Sequence, residues 1–332
     1  MFSLFYTEMT TFRTKKGDLI LMHHPKKTLI QFYEWLYQKT LQIKHFLQIR
    51  LFYRLPIMSS EKTIRYILKH KCSIARYGDG EFSIMMGSYD IDFQSRSTEL
   101  SKKLLDVLSH ANKNLLICIP RYFNSVRKCN TNVKKFWLKW GMNNNRQINL
   151  SKTLRHHCGR SYKYGDSLIT RPYMDLKSKK SADRIFPLLK ALWINRDLLI
   201  VEGIETRLGV GNDLFSGANS ISRILAPARN AFDCYDKILD AVLKNWNGQL
   251  VLLALGPTAT VMAAELSSHG IQALDIGHID IEYEWYLQKA TKKIQIVGKF
   301  TNEVCPSATI DPCNDLHYLK QIIHTCNISN SQ

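Results

Sequence analysis

Two carboxylates, one residue apart, follow a short apolar segment in the first third of the chain. Asp79 and Glu81 lie in a glycine-rich turn that comes after residues 72–75, and Arg76 stands just before the turn. Hard cations such as Mg²⁺ usually take one or two protein carboxylates and complete their shell with phosphate oxygens. The turn therefore predicts a divalent metal that carries a phosphate. The alternative is a turn whose carboxylates are only solvated.

A second turn, Gly256-Pro257-Thr258, follows an apolar strand and opens a helix. The free N–H groups and the dipole of a helix N-terminus attract anions, and the hydroxyls of Thr258 and Thr260 would add donors. Asp275 comes nineteen residues after Gly256, about the spacing at which dinucleotide-binding folds place an acid on a ribose hydroxyl. Because the motif Gly-x-Gly-x-x-Gly is absent, the turn favours a nucleotide phosphate over NAD. The alternative is a purely structural strand–helix turn.

A third glycine-rich loop, residues 202–213, carries Arg207 after another apolar strand. A guanidinium fork matches the oxygens of a diphosphate, so Arg207 is a candidate clamp. The alternative is a structural ion pair with Glu202 or Asp213. Arg171 is a similar but weaker candidate.

The densest polar cluster in the chain lies between residues 275 and 285. If this segment is extended, Asp280, Glu282 and Glu284 share one face with His278, because side chains alternate along a strand. Four titratable groups on one face could supply a general base, a metal ligand or both. A solvated acidic face is the alternative, although the basic net charge makes such a cluster less expected.

From residue 59 onwards, apolar strands alternate with amphipathic helices. Continuously apolar strands between helices are typical of a parallel sheet that is covered on both faces, and such sheets bind ligands at the carboxyl ends of their strands. The sequence therefore predicts a Rossmann-like, doubly wound, mostly parallel α/β domain. Residues 124–190 are less regular and are expected to cover one edge, and residues 306–332 are expected to be a loosely held tail. Strands are predicted near residues 72–75, 114–120, 197–203, 221–227, 250–256 and 271–277, and helices near 59–70, 98–110, 232–245 and 259–268.

The charge of the chain is strongly basic, at +18 over 332 residues. Such a charge favours polyanionic partners: nucleic acid, an anionic membrane surface or a phosphate-bearing substrate. Residues 1–57 hold nine lysines and arginines against three acids, interleaved with aromatic and aliphatic residues. This pattern predicts one or two basic amphipathic helices that lie on a membrane surface. The alternative is a helical arm packed on its own domain or on a partner subunit.

The expected location is the cytoplasm, with residues 1–57 as a candidate contact to the inner membrane face. The eight cysteines are scattered and form no Cys-x-x-Cys motif, which favours a reducing compartment and argues against a zinc site. No stretch approaches the roughly 20 apolar residues that a spanning helix needs. A signal peptide is not expected, since Glu8 interrupts the first apolar residues.

Several long motifs, in this order, resemble the GT-D type of bacterial glycosyltransferase, a family long catalogued as a domain of unknown function. The similarity runs from about residue 59 to residue 303 and divides the chain into a basic extension (1–57), a catalytic domain (58–304) and a tail (305–332). The motifs begin at Ala75 (Ala-Arg-Tyr-Gly-Asp-Gly-Glu), Ile91 (Ile-Asp-Phe-Gln), Arg171 (Arg-Pro-Tyr), Val201 (Val-Glu-Gly), Arg207 (Arg-Leu-Gly-Val-Gly-Asn-Asp), Leu255 (Leu-Gly-Pro-Thr-Ala-Thr) and Asp275 (Asp-Ile-Gly-His-Ile-Asp-Ile-Glu-Tyr-Glu-Trp).

This resemblance implies a UDP-sugar donor, a bacterial surface glycan or glycoprotein acceptor, and Mn²⁺ or Mg²⁺ bound by an Asp-x-Glu motif. That motif falls on Asp79 and Glu81, and His278 is the first guess for a further ligand. If the reaction inverts, Asp280, Glu282 and Glu284 are the candidate bases. Alternative functions are a nucleotide-binding hydrolase or oxidoreductase on the same fold, or a basic nucleic-acid-binding protein. The candidate donor-binding residues are Arg76, Gly78, Arg207, Gly256, Pro257, Thr258 and Asp275.

Overall fold

The computed structural model describes residues 25–87, 94–95, 97–301, 303–304 and 310–326. Three residues of the motif that begins at Ile91 therefore lie outside the described residues. The chain divides into two compact units, Met1–Gln48 and Ile49–Gln332. In the first unit the described residues form one helix, α1 (Pro25–Gln48), as the amphipathic pattern predicts.

The second unit alternates strands and helices. Its strands are β1 (Ser73–Arg76), β2 (Leu115–Ile119), β3 (Gly165–Asp166), β4 (Asp197–Gly203), β5 (Ser220–Ala226), β6 (Leu250–Ala254), β7 (Ala273–Asp275) and β8 (Ile322–Thr325). Its helices are α2 (Ser60–His70), α3 (Asp79–Met85), α4 (Thr98–Ser109), α5 (Thr131–Met142), α6 (Arg146–Cys158), α7 (Ala182–Lys190), α8 (Tyr235–Asn245), α9 (Pro257–Ser268), α10 (Ile279–Leu287) and α11 (Leu316–Gln321).

The eight strands form one sheet in the order β3-β2-β1-β7-β6-β4-β5-β8, and every neighbouring pair is parallel. The predicted α/β class with a parallel sheet is confirmed. Because all strands run the same way, their carboxyl ends meet at one edge of the sheet.

The sheet separates two apolar cores, because successive side chains of a strand point to opposite faces. In β4, Leu199 and Val201 pack with α4, α8 and α9 on one face. Leu198 and Ile200 pack with α2, α7 and α10 on the other face. Strands buried on both faces cannot show an apolar–polar alternation, which explains why they appear in the sequence as continuous apolar runs.

Serine caps start two of the helices that the sequence pattern predicts well. The Ser59 hydroxyl accepts the N–H of Lys62 at the start of α2, and the Ser97 hydroxyl accepts the N–H of Leu100 at the start of α4. Such caps satisfy N–H groups that have no partner inside the helix.

The segment after β7 is a helix, not the extended segment that the alternating pattern predicts. Gly277 turns the chain with a φ of +44°, and Ile279–Leu287 then forms α10. Residues from every side of α10 are buried, including Ile279, Ile281 and Trp285. A helix that is buried all round lacks the one-sided apolar stripe that reveals a helix in sequence. In α10, Asp280 and Glu284 lie one turn apart on the same face and Glu282 points elsewhere.

The C-terminal residues also differ from expectation. Instead of a loosely held tail, residues 310–326 contribute α11 and the edge strand β8, which pairs with β5. The Asp315 carboxylate caps α11 by accepting the N–H of Tyr318 at 2.9 Å. This addition closes the β5 edge of the sheet. Within the described ranges, no helix is long and apolar enough to cross a membrane.

Candidate functional site

A cleft of about 720 Å³ lies along the carboxyl ends of the strands. Its walls include Gly78 after β1, Gly203 at the end of β4, Gly256 after β6 and His278 after β7. This volume falls within the range of roughly 300–1,000 Å³ that small-molecule sites occupy. The cleft is therefore where the parallel sheet is expected to bind a ligand.

Asp79 and Glu81 line the cleft from the first turn of α3. Glu81 Oε2 accepts the N–H of Gly78 at 2.7 Å, which fixes the turn. Two acids in the first turn also suit the positive end of the helix dipole. Burial raises the pKa of Asp79. Burial, followed by the nearby charge of Asp275, raises the pKa of Glu81 to about 7.

The donor set fits a hard cation that is only partly held by protein. Asp79 and Glu81 offer carboxylate oxygens, which Mg²⁺ and Mn²⁺ prefer, and the open cleft leaves room for phosphate and water. Among the residues that the structure describes, no three His, Cys, Asp or Glu side chains are grouped closely enough to hold a metal. Asp79, Glu81 and His278 therefore do not form the preformed three-ligand set that the sequence suggested.

His278 faces an acid of the cleft instead. Its Nε2 lies 3.9 Å from Glu303 Oε1, and its side chain is about one-third exposed. Partial burial and the positive charges of Arg171, Arg76 and Lys293 lower the pKa of His278, although the negative charge of Glu303 opposes this shift. The imidazole is therefore neutral near pH 7, a form in which it can donate or accept a hydrogen bond.

Two cations converge on one carboxylate at this wall of the cleft. Arg171 Nη2 lies 2.5 Å from Glu303 Oε1, and Lys293 Nζ also pairs with Glu303. Arg171 Nε additionally donates to Asp175 Oδ2 at 3.2 Å. The positive charges around Glu303 lower its pKa far below the ordinary range. Arg171 and Lys293 are thus two cations at the cleft, each paired with a carboxylate.

Arg76 lines the cleft and forms an ion pair with Asp275. Arg76 Nη2 donates to Asp275 Oδ1 at 2.8 Å, while Asp275 Oδ2 accepts the backbone N–H of Arg76 at 3.3 Å and lies 3.3 Å from Thr260 Oγ1. Arg76 Nη1 also donates to Thr170 Oγ1 at 2.8 Å. Both carboxylate oxygens of Asp275 are thus engaged inside the protein, and the residue is only 3% exposed. The ion pair fixes the turn that follows β1. Asp275 has no free carboxylate oxygen for the predicted contact with a ribose hydroxyl.

Gly277 allows this ion pair to form, and its replacement gives a stability prediction. A Cβ on Gly277 would lie 2.0 Å from Arg76 Nη2. Since Arg76 is held by Asp275 and Thr170, it cannot move aside without losing hydrogen bonds. We expect Gly277→Ala to lower the free energy of unfolding by about 1–3 kcal/mol more than Gly270→Ala, measured by urea denaturation.

Gly270 is a matched control because its φ is also positive, at +75°, but a Cβ there meets nothing within 4 Å. An alanine at either position therefore strains the backbone, but only Gly277→Ala displaces the Arg76 guanidinium. Equal losses of stability for the two variants would contradict the proposed role of the Arg76–Asp275 pair.

The turn before α9 forms as predicted but presents few free donors. Gly256 lines the cleft, and Pro257 takes the first helical position, where its missing N–H costs nothing. The Thr260 hydroxyl donates to Arg76 O at 2.8 Å, and the Thr258 hydroxyl lies 3.4 Å from Gln94 Oε1. Both hydroxyls thus have partners within the protein, so only the backbone of the turn is available to bind an anion.

Arg207 is not among the residues that line the cleft. Its Nη1 donates to Gly298 O at 2.8 Å, and its Nη2 donates to Asp311 O. Arg207 is 8% exposed. Its two hydrogen bonds connect the glycine-rich loop to the segments that contain Gly298 and Asp311. Arg207 forms no ion pair with Glu202 or Asp213. Glu202 pairs instead with Arg223 at 2.5 Å, and Asp213 pairs with Lys190 at 2.8 Å. The structure therefore places Arg207 away from a diphosphate clamp.

The three acids of α10 do not share one face. Asp280 is the one that lines the cleft. Its Oδ2 pairs with Lys299 Nζ at 2.7 Å, and Glu284 Oε1 pairs with the same nitrogen at 2.9 Å. Asn212 Nδ2 donates to both acids, at 2.8 and 2.7 Å. Asp280 and Glu284 thus belong to one buried network that holds the glycine-rich loop.

Glu282 is completely buried and holds the loop that carries Arg171. Its Oε2 accepts the N–H groups of Tyr173 and Met174, each at 2.9 Å. Burial raises the pKa of Glu282 to about 7, although the positive charge of Arg171 opposes this shift. Glu282 therefore fixes the loop that carries Arg171 through hydrogen bonds to two of its backbone N–H groups.

Because of this shift, stability should depend on pH through Glu282. Between its ordinary pKa of 4.5 and about 7, the folded protein keeps a proton that the unfolded chain has released. Stability from this group therefore falls as pH rises through that window. The side chain that Glu282→Gln introduces cannot titrate. The free energy of unfolding of this variant, relative to that of the wild type, should therefore rise by on the order of 1–3 kcal/mol between pH 5 and pH 8. Urea denaturation of both proteins at each pH tests this, and a constant difference would refute it.

Sequence reasoning did not select Asp175, Lys293 or Glu303 for the site. Asp175 comes four residues after Arg171 and Glu303 comes ten residues after Lys293, but the two segments lie more than 110 residues apart, so no single spacing connects them. Arg171 was noted only as a weaker candidate, and its Arg-Pro-Tyr motif was the one available signal.

A parallel sheet with acids and cations at the carboxyl ends of its strands defines an α/β enzyme that binds its substrate at that edge. The chain belongs to the glycosyltransferase family with the GT-D fold, whose family model matches residues 74–304. Family membership favours sugar transfer over the hydrolase, oxidoreductase and nucleic-acid-binding alternatives.

The chain is similar to the probable glycosyl transferase Gly of Streptococcus gordonii, with 37% identity over 81% of this chain and 39% of that protein. It is 36% identical to the glycosyltransferase GlyD of Streptococcus pneumoniae serotype 4, over 81% of this chain and 32% of that protein. The chain thus spans about a third to two-fifths of the length of these curated relatives. A solved structure of the domain of unknown function 1792, described as a distinct glycosyltransferase fold, shares 37% identity, with a TM-score of 0.78 over 85% of this chain and 99% of that chain.

Proposed function

We propose that the chain transfers a hexose from a UDP-sugar to a bacterial surface glycan or glycoprotein, with Mn²⁺ or Mg²⁺ bound at Asp79 and Glu81. One observation carries this proposal: the two carboxylates and the cation pair Arg171 and Lys293 line the same cleft. A metal–diphosphate group needs both kinds of partner, oxygen ligands for the metal and positive charge for the phosphate oxygens.

Each part of the cleft then has a task in the reaction. The metal, when bound, supplies positive charge that stabilises the leaving diphosphate. Arg171 and Lys293, which pair with Glu303 in the structure, would exchange this partner for the phosphate oxygens and add charge where the negative charge develops. Gly256 lines the same cleft at the start of α9, where the helix dipole favours an anion.

Asp280 is our candidate base if the transfer inverts the sugar. Of the three acids that the sequence singled out, it is the one that lines the cleft. Its Oδ1 accepts the N–H of Gly209 and Asn212 Nδ2, and its Oδ2 pairs with Lys299 at 2.7 Å, so acting as a base requires it to release one of these partners. Glu282 and Glu284 are proposed as positioning residues, since they hold the Arg171 loop and the Lys299 network.

A donor screen tests the proposed reaction directly. The full chain is incubated with a panel of UDP-, GDP- and TDP-sugars, with Mn²⁺, Mg²⁺ or excess EDTA, and release of the nucleotide is measured with and without glycan acceptors. We expect release from a UDP-hexose that requires both the metal and an acceptor. Undiminished release in EDTA would overturn the metal role. Release that is independent of any acceptor would instead indicate a hydrolase.

A further inference from the structure

Helix α1 exposes an unusual number of large apolar side chains. Trp35, Phe32 and Tyr33 are 54%, 57% and 62% exposed, and Leu29 and Ile43 are 54% and 60% exposed. Single exposed apolar residues are ordinary on a protein surface. A row of them along a helix of 24 residues marks a surface that contacts another apolar phase.

Six of the ten exposed large apolar side chains of α1 fall on one face of the helix, and the other four, Ile30, Trp35, Tyr37 and Phe46, lie outside it. At 100° per residue, the apolar positions of one face lie within an arc of about 100°. Lys39 and Lys44 flank the two edges of this arc, and Gln31, Glu34 and Gln38 lie on the opposite face. The positions that share the arc, here called the apolar face, are Leu29, Phe32, Tyr33, Leu36, Ile43 and Leu47.

The charges beside this face select the kind of partner. Helix α1 carries four lysines, Lys26, Lys27, Lys39 and Lys44, and a single acid, Glu34. Lysines at the border of an apolar face can lay their methylene chains along it and keep their ammonium groups in water. Lys39 Nζ lies 5.6 Å from the centre of the Trp35 ring, and both residue types favour the level of lipid headgroups.

We infer that α1 lies in the plane of an anionic membrane surface, with its apolar face inserted between the headgroups. Such in-plane helices combine aromatic and aliphatic residues on one face with lysines at its border. Gln31, Glu34 and Gln38 suit this position, because the face opposite the lipid stays in water. Negative lipid headgroups complement the four lysines of α1, whereas a neutral protein surface would offer them no opposite charge.

Vesicle flotation of the full chain tests the inference. Vesicles of phosphatidylcholine with about 30% phosphatidylglycerol are compared with vesicles of phosphatidylcholine alone. We expect at least about tenfold stronger binding to the anionic vesicles, and this preference should weaken between about 0.1 and 0.5 M salt because surface charges are screened.

Two matched double variants locate the contact. Leu36→Glu with Ile43→Glu places two negative charges on the apolar face and should abolish flotation. Gln31→Glu with Gln38→Glu adds the same charge on the opposite face and should keep most of it, since these residues face water. Both variants should keep the metal-dependent nucleotide release of the wild type, so a failure of this inference is distinguishable from a failure of the proposed function.

Three results would overturn the inference: flotation with neither vesicle, equal losses for the two double variants, or binding to both vesicles alike. Concentration-dependent self-association that Leu36→Glu with Ile43→Glu removes, without any flotation of the wild type, would also overturn it. In that case the apolar face is a contact between copies of the chain.

Discussion

Asp79→Asn and Glu81→Gln are each expected to reduce sugar transfer by about 10³-fold or more, because each removes a charge that the metal needs. Both substitutions keep the size of the side chain, and the amide oxygen that Glu81→Gln introduces can still accept the N–H of Gly78. The loss of an acid from the first helical turn should cost only about 0.3–1 kcal/mol of stability. Nucleotide release at saturating donor, measured beside thermal unfolding, separates the two effects.

Asp106→Asn is the matched control for these variants. Asp106 also lies on a helix, but its side chain is 71% exposed and outside the cleft. The control should retain wild-type turnover. Wild-type turnover by Asp79→Asn or Glu81→Gln would remove the metal from the proposed mechanism.

Arg171→Ala should lower kcat/KM by about 10²–10³-fold, the usual cost of removing one preorganised donor from a developing negative charge. Arg171→Lys restores a charge but not the planar fork, so we expect only partial recovery. Arg171 also pairs with Glu303 at 2.5 Å, so thermal unfolding is measured with the kinetics. A loss in kcat/KM without unfolding supports direct contact with the diphosphate.

Arg184→Ala supplies the comparison for Arg171. Arg184 forms an ion pair with Glu61, but its side chain is 73% exposed and lies on α7. Removing it should leave kcat/KM within about twofold of wild type, since exposed pairs contribute little. If Arg171→Ala behaves like Arg184→Ala, the cation pair does not bind the donor.

The sheet could be predicted because its strands are buried on both faces. β4 and β6 consist largely of leucine, isoleucine and valine, and serine caps mark the helices α2 and α4. α10 could not be recognised, because its buried surroundings remove the one-sided stripe of a helix and leave an alternation typical of a strand. β8 escaped notice because it is a short edge strand whose residues are mostly exposed.

Within the site, the turn with Asp79 and Glu81 was predictable because its residues are adjacent in sequence. The contacts of Arg76 and Arg207 were not, since both guanidiniums bind partners that are more than 90 residues away along the chain. Arg171 likewise pairs with Glu303, 132 residues away, and Lys293 pairs with the same carboxylate. Spacing in sequence identifies local turns, whereas ion pairs between loops depend on how the sheet brings strand ends together.

The most direct test of the central claim is a calorimetric titration of Mn²⁺ into the full chain in the presence of UDP, with wild type and Asp79→Asn compared at pH 8. At this pH the Glu81 carboxyl, whose pKa is about 7, is ionised. We predict one binding event in the wild type that depends on UDP and that Asp79→Asn weakens by at least about 30-fold, equivalent to about 2 kcal/mol. Equal Mn²⁺ binding by the two proteins, or no UDP-dependent binding by the wild type, would contradict a metal–nucleotide site at Asp79 and Glu81.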